Sequence, residues 1–151
     1  MPAPFSGGCA CRTIRYECSA DPLITLNCHC RDCQRASGSA YAPLLYVPVV
    51  AFTLTKGTLK YHRVTGESGY TLDRGFCLDC GAPVLIQGQR ASSLGILVLW
   101  AASLDDPSWF RPTVDIFVES AQPWDYMNPA LRKIERLPTD EQAREMLPPR
   151  G

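Results

Sequence analysis

Cys9-Ala10-Cys11, Cys28-His29-Cys30-Arg31-Asp32-Cys33 and Cys77-Leu78-Asp79-Cys80-Gly81 decide how this chain is read. Seven of its eight cysteines fall into these three clusters, spaced as C-x-C, C-x-C-x-x-C and C-x-x-C. A closed structural zinc site takes four protein ligands; an open one takes three and leaves a position for water or substrate. Seven divides into four plus three, so the spacing predicts one site of each kind.

The alternatives for the cysteines are weaker. The first residues, Met1-Pro-Ala-Pro-Phe-Ser-Gly-Gly8, have no basic start and no apolar stretch of a secretory leader. The most apolar run, Leu94 to Ala102, is too short to span a bilayer. The expected location is therefore cytoplasmic, where disulfides do not persist. A disulfide within Cys9-Ala-Cys11 is also poor geometry for an extended segment. Cys77-x-x-Cys80 resembles a redox dithiol in spacing alone. Such motifs open a helix in a βαβ unit, whereas this one precedes Gly81 and a strand.

Lys+Arg and Asp+Glu balance at 15 each. That excludes the basic excess of a dedicated nucleic-acid binder, and neither nucleic acid nor membrane is expected as a partner. Starting from zero, seven thiolates and two doubly positive ions leave a net charge of −3. At 151 residues the chain has the size of one domain and can bury a core without the cysteines.

Strand patterns dominate. Thr13–Glu17 alternates apolar and polar residues, and Thr58–Val64 with Tyr70–Arg74 reads as a hairpin across Thr65–Gly69. Tyr41–Val50 is β-rich, but Pro43 and Pro48 predict an edge strand or a break. Ala82–Ile86, Leu94–Ala101 and Val114–Val118 bring the total to about seven strands, a number typical of mainly β domains. Helical signals are short: Asp32–Ala36, a turn at Pro107–Phe110, and Thr139–Leu147 before Pro148-Pro149. One domain over 1–151 is expected, with its core at about 7–124 and a loose tail over 138–151.

In Cys77-x-x-Cys80-Gly81 the glycine allows a positive φ and turns backbone N–H groups toward the sulfurs. Cys9 and Cys11 supply the natural second half of that site, on one face of an extended segment. Three thiols in six residues can wrap one metal at Cys28, Cys30 and Cys33. His29 is the nearest candidate for a fourth ligand. Its neighbours on both sides are ligands, so an extended chain would point it away, as an exposed histidine or one that braces the ligands from behind. His62 reads as an ordinary strand histidine. Cys18, without a spacing partner, reads as a small buried hydrophobe.

These residues resemble a known family. Gly7-Gly-Cys-Ala-Cys11, Cys28-His-Cys-Arg-Asp-Cys33 followed by Ser37-Gly-Ser39, and Phe76-Cys-Leu-Asp-Cys-Gly81 are similar to the glutathione-dependent formaldehyde-activating enzyme family, also called the centromere protein V/GFA-domain family. The likeness runs from about Gly7 to Trp124 and includes Ser103-Leu-Asp105. It implies a mainly β, Mss4-like β-tent with few short helices and two zinc sites. It assigns Cys9, Cys11, Cys77 and Cys80 to the structural site, and Cys28, Cys30 and Cys33 to the active one. One departure is Asp115, where the family's late strand usually carries a histidine.

The activity implied is a carbon–sulfur lyase-type reaction that joins glutathione, as cosubstrate, to formaldehyde, in the manner of an S-(hydroxymethyl)glutathione synthase. A free thiol is only a few per cent thiolate at neutral pH. An open zinc deprotonates it and presents it to an electrophile. Arg31 and Arg35 flank the middle cluster and are expected either to offset its charge or to hold the cofactor's carboxylates, the alternative being solvated surface charges; Ser39, with Gly38, is expected to shape the loop at the cofactor-binding side. The competing reading is a non-catalytic, zinc-stabilised partner-binding module. Whether the middle site faces a pocket discriminates the two. A methionine sulfoxide reductase on a related tent would need a cysteine late in the chain, and none follows Cys80.

Overall fold

The computed structural model describes residues 2–149. Among these residues, eleven strands form two sheets. The small sheet is antiparallel, with β1 (Phe5–Gly8) and β5 (Phe52–Lys56) on either side of β2 (Arg15–Cys18). The large sheet has eight strands in the order β11-β10-β3-β4-β9-β8-β7-β6. They are β3 (Ile24–Cys28), β4 (Ala42–Pro48), β6 (Lys60–Thr65), β7 (Thr71–Phe76), β8 (Pro83–Gly88), β9 (Ile96–Trp100), β10 (Val114–Ile116) and β11 (Arg132–Ile134). Three short helices complete it: α1 (Arg31–Ser37), α2 (Gln89–Ser93) and α3 (Asp140–Met146). This is the expected mainly β architecture with few short helices.

The large sheet is apolar on both faces. Side chains alternate along a strand, so successive residues of β4 and β9 enter different cores. Leu45, Val47, Leu97 and Leu99 pack with Ile14 and Tyr16 of the small-sheet side. Leu44, Val98 and Trp100 pack on the opposite face with Leu26, Ile86 and Ile116. Strands covered on both sides read as continuous apolar runs, which is why Leu94–Ala102 is the most apolar stretch of the chain.

β4 departs from the sequence reading. It is an interior strand, paired to β3 at 42–46 and to β9 at 44–48. Pro43 lies opposite Asn27 of β3 alone, and Pro48 opposite Ile96 of β9 alone. Each proline has a strand on one side only, so its missing N–H costs no bond on the other. The hairpin was placed correctly, with Thr65 opposite Thr71. The sequence reading lacks four strands: β1 (Phe-Ser-Gly-Gly) and β11 (Arg-Lys-Ile) are too short or glycine-rich to alternate, whereas β3 (Ile-Thr-Leu-Asn-Cys) and β5 (Phe-Thr-Leu-Thr-Lys) do alternate and are passed over.

The ordered elements extend on both sides of the expected 7–124 core. The segment expected as a loose tail carries α3, which starts at a capping box made by Thr139 and Gln142. Arg90 of α2 holds its start, donating to Pro138 O at 3.0 Å and Asp140 Oδ1 at 2.8 Å. The rest of that expectation, at residues 150–151, lies outside the described residues.

Leu99 is fully buried where the two sheets meet. Leu99→Ala should cost about 2–5 kcal/mol of unfolding free energy, the range for a large core truncation. Denaturant unfolding with metal in excess measures it, and metal content should be unchanged.

Candidate metal centres

The first and third cysteine clusters meet between the two sheets. Cys9 and Cys11 follow β1, and Cys77 and Cys80 lie in the β7–β8 connection. The four sulfurs lie within 4.8 Å of one another. Cys11 Sγ is 3.6 Å from Cys9 Sγ and 3.7 Å from Cys77 Sγ. Four sulfurs around a tetrahedral metal with bonds of about 2.3 Å lie about 3.8 Å apart, so the donor set fits a zinc-sized ion.

Both knuckles are built by the backbone. At the second, Gly81 takes a φ of 75° and its N–H donates to Cys77 O at 2.8 Å. The N–H groups of Ala82 and Cys11 point at the Cys80 sulfur and pull its pKa down to about 6. The first knuckle is a turn, not the extended segment expected: Arg12 N–H donates to Cys9 O, and Arg12 takes a φ of 65°. Ile14 N–H donates to Cys9 Sγ at 3.2 Å.

Cys28, Cys30 and Cys33 converge at the end of β3 and the start of α1. Their sulfurs also lie within 4.8 Å of one another, and all three are buried. Cys30 caps α1, its sulfur accepting from Cys33 N–H at 3.3 Å, and Gly38 ends the helix with a φ of 66°. Hydrogen bonds from the Cys28 and Cys33 thiols hold Cys30 down to about 3, helped by Cys33 N–H and the Arg74 charge. Cys28 is pushed far up, because its proton is shared with Cys30 and Cys33 and because it is buried. Among the described residues no fourth His, Cys, Asp or Glu joins these three sulfurs. They line one end of a cavity of about 170 Å³, walled by β3, β4, β7, β8, β9 and α3.

His29 turns away from the triad, as its position between two ligands implied, but it is fully buried. Its Nε2 lies 2.9 Å from Asp115 Oδ1 and its Nδ1 lies 3.0 Å from Asp125 Oδ2. Asp115 also accepts from Asn27 Nδ2 at 3.1 Å and pairs with Lys133 Nζ at 2.9 Å. Gln34 Nε2 donates to His29 O at 2.7 Å and to Ser120 O at 3.0 Å. The three-thiol loop is thus braced from behind by residues far along the chain.

Arg74 of β7 is the cation at the triad. Its Nη2 lies 4.0 Å from Cys33 Sγ, and its buried Nη1 has no partner. No local motif marks Arg74; strand register alone brings it there. Arg31, Arg35 and Ser39 are solvent-exposed, outside the cavity wall. Arg31 donates to Gln34 Oε1 through its guanidinium and to Glu67 Oε1 through its backbone N–H. Cys18 is fully buried near Ala20 O, its thiol raised by burial, and His62 is exposed on β6. Ser103 and Asp105 are structural: Ser103 meets Tyr16 OH at 2.7 Å, and Asp105 pairs with Arg15.

Known proteins are similar to this chain in sequence and in fold. The sequence profile of the family described as "Glutathione-dependent formaldehyde-activating enzyme" matches residues 4–120, well over half of the chain. A Penicillium rubens protein named "Putative glutathione-dependent formaldehyde-activating enzyme" is 28% identical over 78% of this chain and 65% of its own length. The chain thus spans just under two thirds of that relative. A crystal structure of a Rhodobacter sphaeroides protein aligns with a TM-score of 0.51 at 20% identity, covering 66% of this chain and 87% of the other. That likeness concerns the fold alone.

The two clusters should separate on mutation. Cys77→Ala should abolish folding or solubility, since a four-ligand metal contributes folding free energy directly. Cys30→Ala should stay folded with one metal per chain, and Cys18→Ala should keep two; elemental analysis beside circular dichroism reads all three. Metal affinity at the triad should fall as pH falls, because the Cys28 and Cys33 protons must leave before the metal binds. Chelator competition across neutral pH measures this.

Proposed function

The chain belongs to the glutathione-dependent formaldehyde-activating enzyme family, and from that premise we propose that it is a zinc-dependent carbon–sulfur lyase-type enzyme joining the glutathione thiolate to formaldehyde or a related small electrophile. The observation that carries this reading is the three-thiol cluster, which has no fourth His, Cys, Asp or Glu ligand among the described residues and lines a cavity. A purely structural site has no use for that combination. Zinc bound by Cys28, Cys30 and Cys33 would supply the positive charge that keeps a cosubstrate thiol deprotonated at neutral pH.

The chain's own residues supply the rest. Arg74 faces Cys33 with an unpartnered guanidinium N–H, which offsets the negative charge of clustered thiolates and can donate to an incoming one. His29, fixed between Asp115 and Asp125, keeps the backbone between Cys28 and Cys30 in place. Arg31 and Arg35 sit four residues apart on α1, so one face of the helix offers two cations to the carboxylates of the tripeptide. Ser39, just beyond the helix, adds a hydroxyl.

Glutathione should bind with release of one proton, seen as a buffer-dependent enthalpy in isothermal titration. Its affinity should rise about tenfold per pH unit below the thiol pKa of about 8.5. S-methylglutathione, which has no thiol to ionise, should bind at least about tenfold more weakly, and Cys30→Ala should bind neither tightly. Arg74→Met should weaken glutathione roughly tenfold or more, a charged hydrogen bond being worth about 1.5–3 kcal/mol. Equal affinity for the two ligands, without buffer dependence, would remove sulfur ligation from the mechanism.

A further inference from the structure

Resting on the thiol-addition reading above, we infer that the cavity beside Cys28, Cys30 and Cys33 is a subsite for the apolar body of an aldehyde substrate of about benzaldehyde or hexanal size. Formaldehyde has one carbon and needs no such space. An apolar cavity of about 150 Å³ accepts a benzene-sized guest, and this one is about 170 Å³. Leu26, Leu44, Ile86 and Val98, from four adjacent strands, line it on the sheet side, and α3 contributes Ala143 and Met146.

The charged residues of the wall are Asp32, Glu67 and Arg90. Asp32 Oδ2 accepts from Glu67 N–H at 3.0 Å. Glu67 accepts from Arg31 N–H at 2.8 Å and Ser120 Oγ at 2.7 Å. Arg90 is held by Asp140 and Pro138. Among the described residues neither carboxylate is paired with a cation, so both repel the two carboxylates of a tripeptide, and the cation that could receive those is already held; burying them there is unfavourable. Glutathione therefore presents its sulfur at the triad end and keeps its polar body at the rim. The apolar space beside that sulfur falls to the substituent on the carbonyl carbon.

The reaction balances without an oxidant or reductant. The thiol sulfur bonds to the carbonyl carbon as the carbon–oxygen π pair moves to oxygen. The proton given up by the thiol ends on that oxygen, leaving a hemithioacetal. Formaldehyde is the one-carbon member of the same series.

Two measurements test this on the metal-loaded protein. Benzyl alcohol, an unreactive probe with the benzaldehyde body, should bind in isothermal titration without glutathione, and methanol should not. Ala143→Trp, which fills the cavity from α3, should remove that binding. Met146→Glu, which places a charge there, should do the same, both variants retaining two metals. With glutathione present, kcat/KM should rise roughly fourfold per methylene from propanal to hexanal, as expected for about 0.8 kcal/mol per buried CH₂. If formaldehyde reacts best, the longer aldehydes show no trend and benzyl alcohol does not bind, the subsite is overturned while thiol addition stands. Benzyl alcohol binding that survives Ala143→Trp overturns it too. If the alcohol binds and is lost in both variants, yet no aldehyde reacts, the subsite stands and the lyase reading falls.

Discussion

Four cysteine sulfurs, two from each sheet's turn, converge within 4.8 Å of one another. Cys9 and Cys11 close the first hairpin of the small sheet, and Cys77 and Cys80 close the β7–β8 turn of the large one. Their convergence joins segments 66 residues apart. The backbone prepares each half: Gly81 and Arg12 take left-handed conformations, and N–H groups are aimed at sulfur on both sides. A metal bound there would add its binding free energy to folding and tie the two sheets together.

The large sheet separates structure from chemistry by its faces. One face packs against the small sheet around Tyr16, Leu45 and Leu99 and leaves no role for solvent or ligand. The other carries Leu26, Leu44 and Val98, and ends at Cys28, Cys30 and Cys33. That second face is incompletely filled: a cavity of about 170 Å³ remains between the strands and α3. Protein interiors seldom leave such a space unfilled, and here it adjoins the three thiols.

The three-thiol loop is short, and its own residues do not suffice to hold it. Behind it, His29 is fixed by Asp115 of β10 and by Asp125, and Gln34 reaches back to His29 and across to Ser120. In front, Arg74 brings positive charge to Cys33. The carboxylate of Asp115 on β10 meets His29, Asn27 and Lys133 together.

The division of seven cysteines into four and three was legible in spacing alone, because ligands of one knuckle must be neighbours in sequence. So was the β6–β7 hairpin, whose alternation and turn are local. The capping signal of α3 was equally local, but its docking was not: that depends on Arg90, about fifty residues earlier in the chain. The interior place of β4 was hidden, because prolines argue against a central strand until the register shows each at a one-sided position. Arg74, Asp115 and Asp125 carry no motif; they reach Cys33 and His29 through strand order and burial. Sequence determined which atoms can bind metal, since thiolate chemistry resides in residue type and local spacing. Tertiary structure decided which charges surround the metal and what shape of molecule can approach it, since both are set by contacts between strands far apart in the chain.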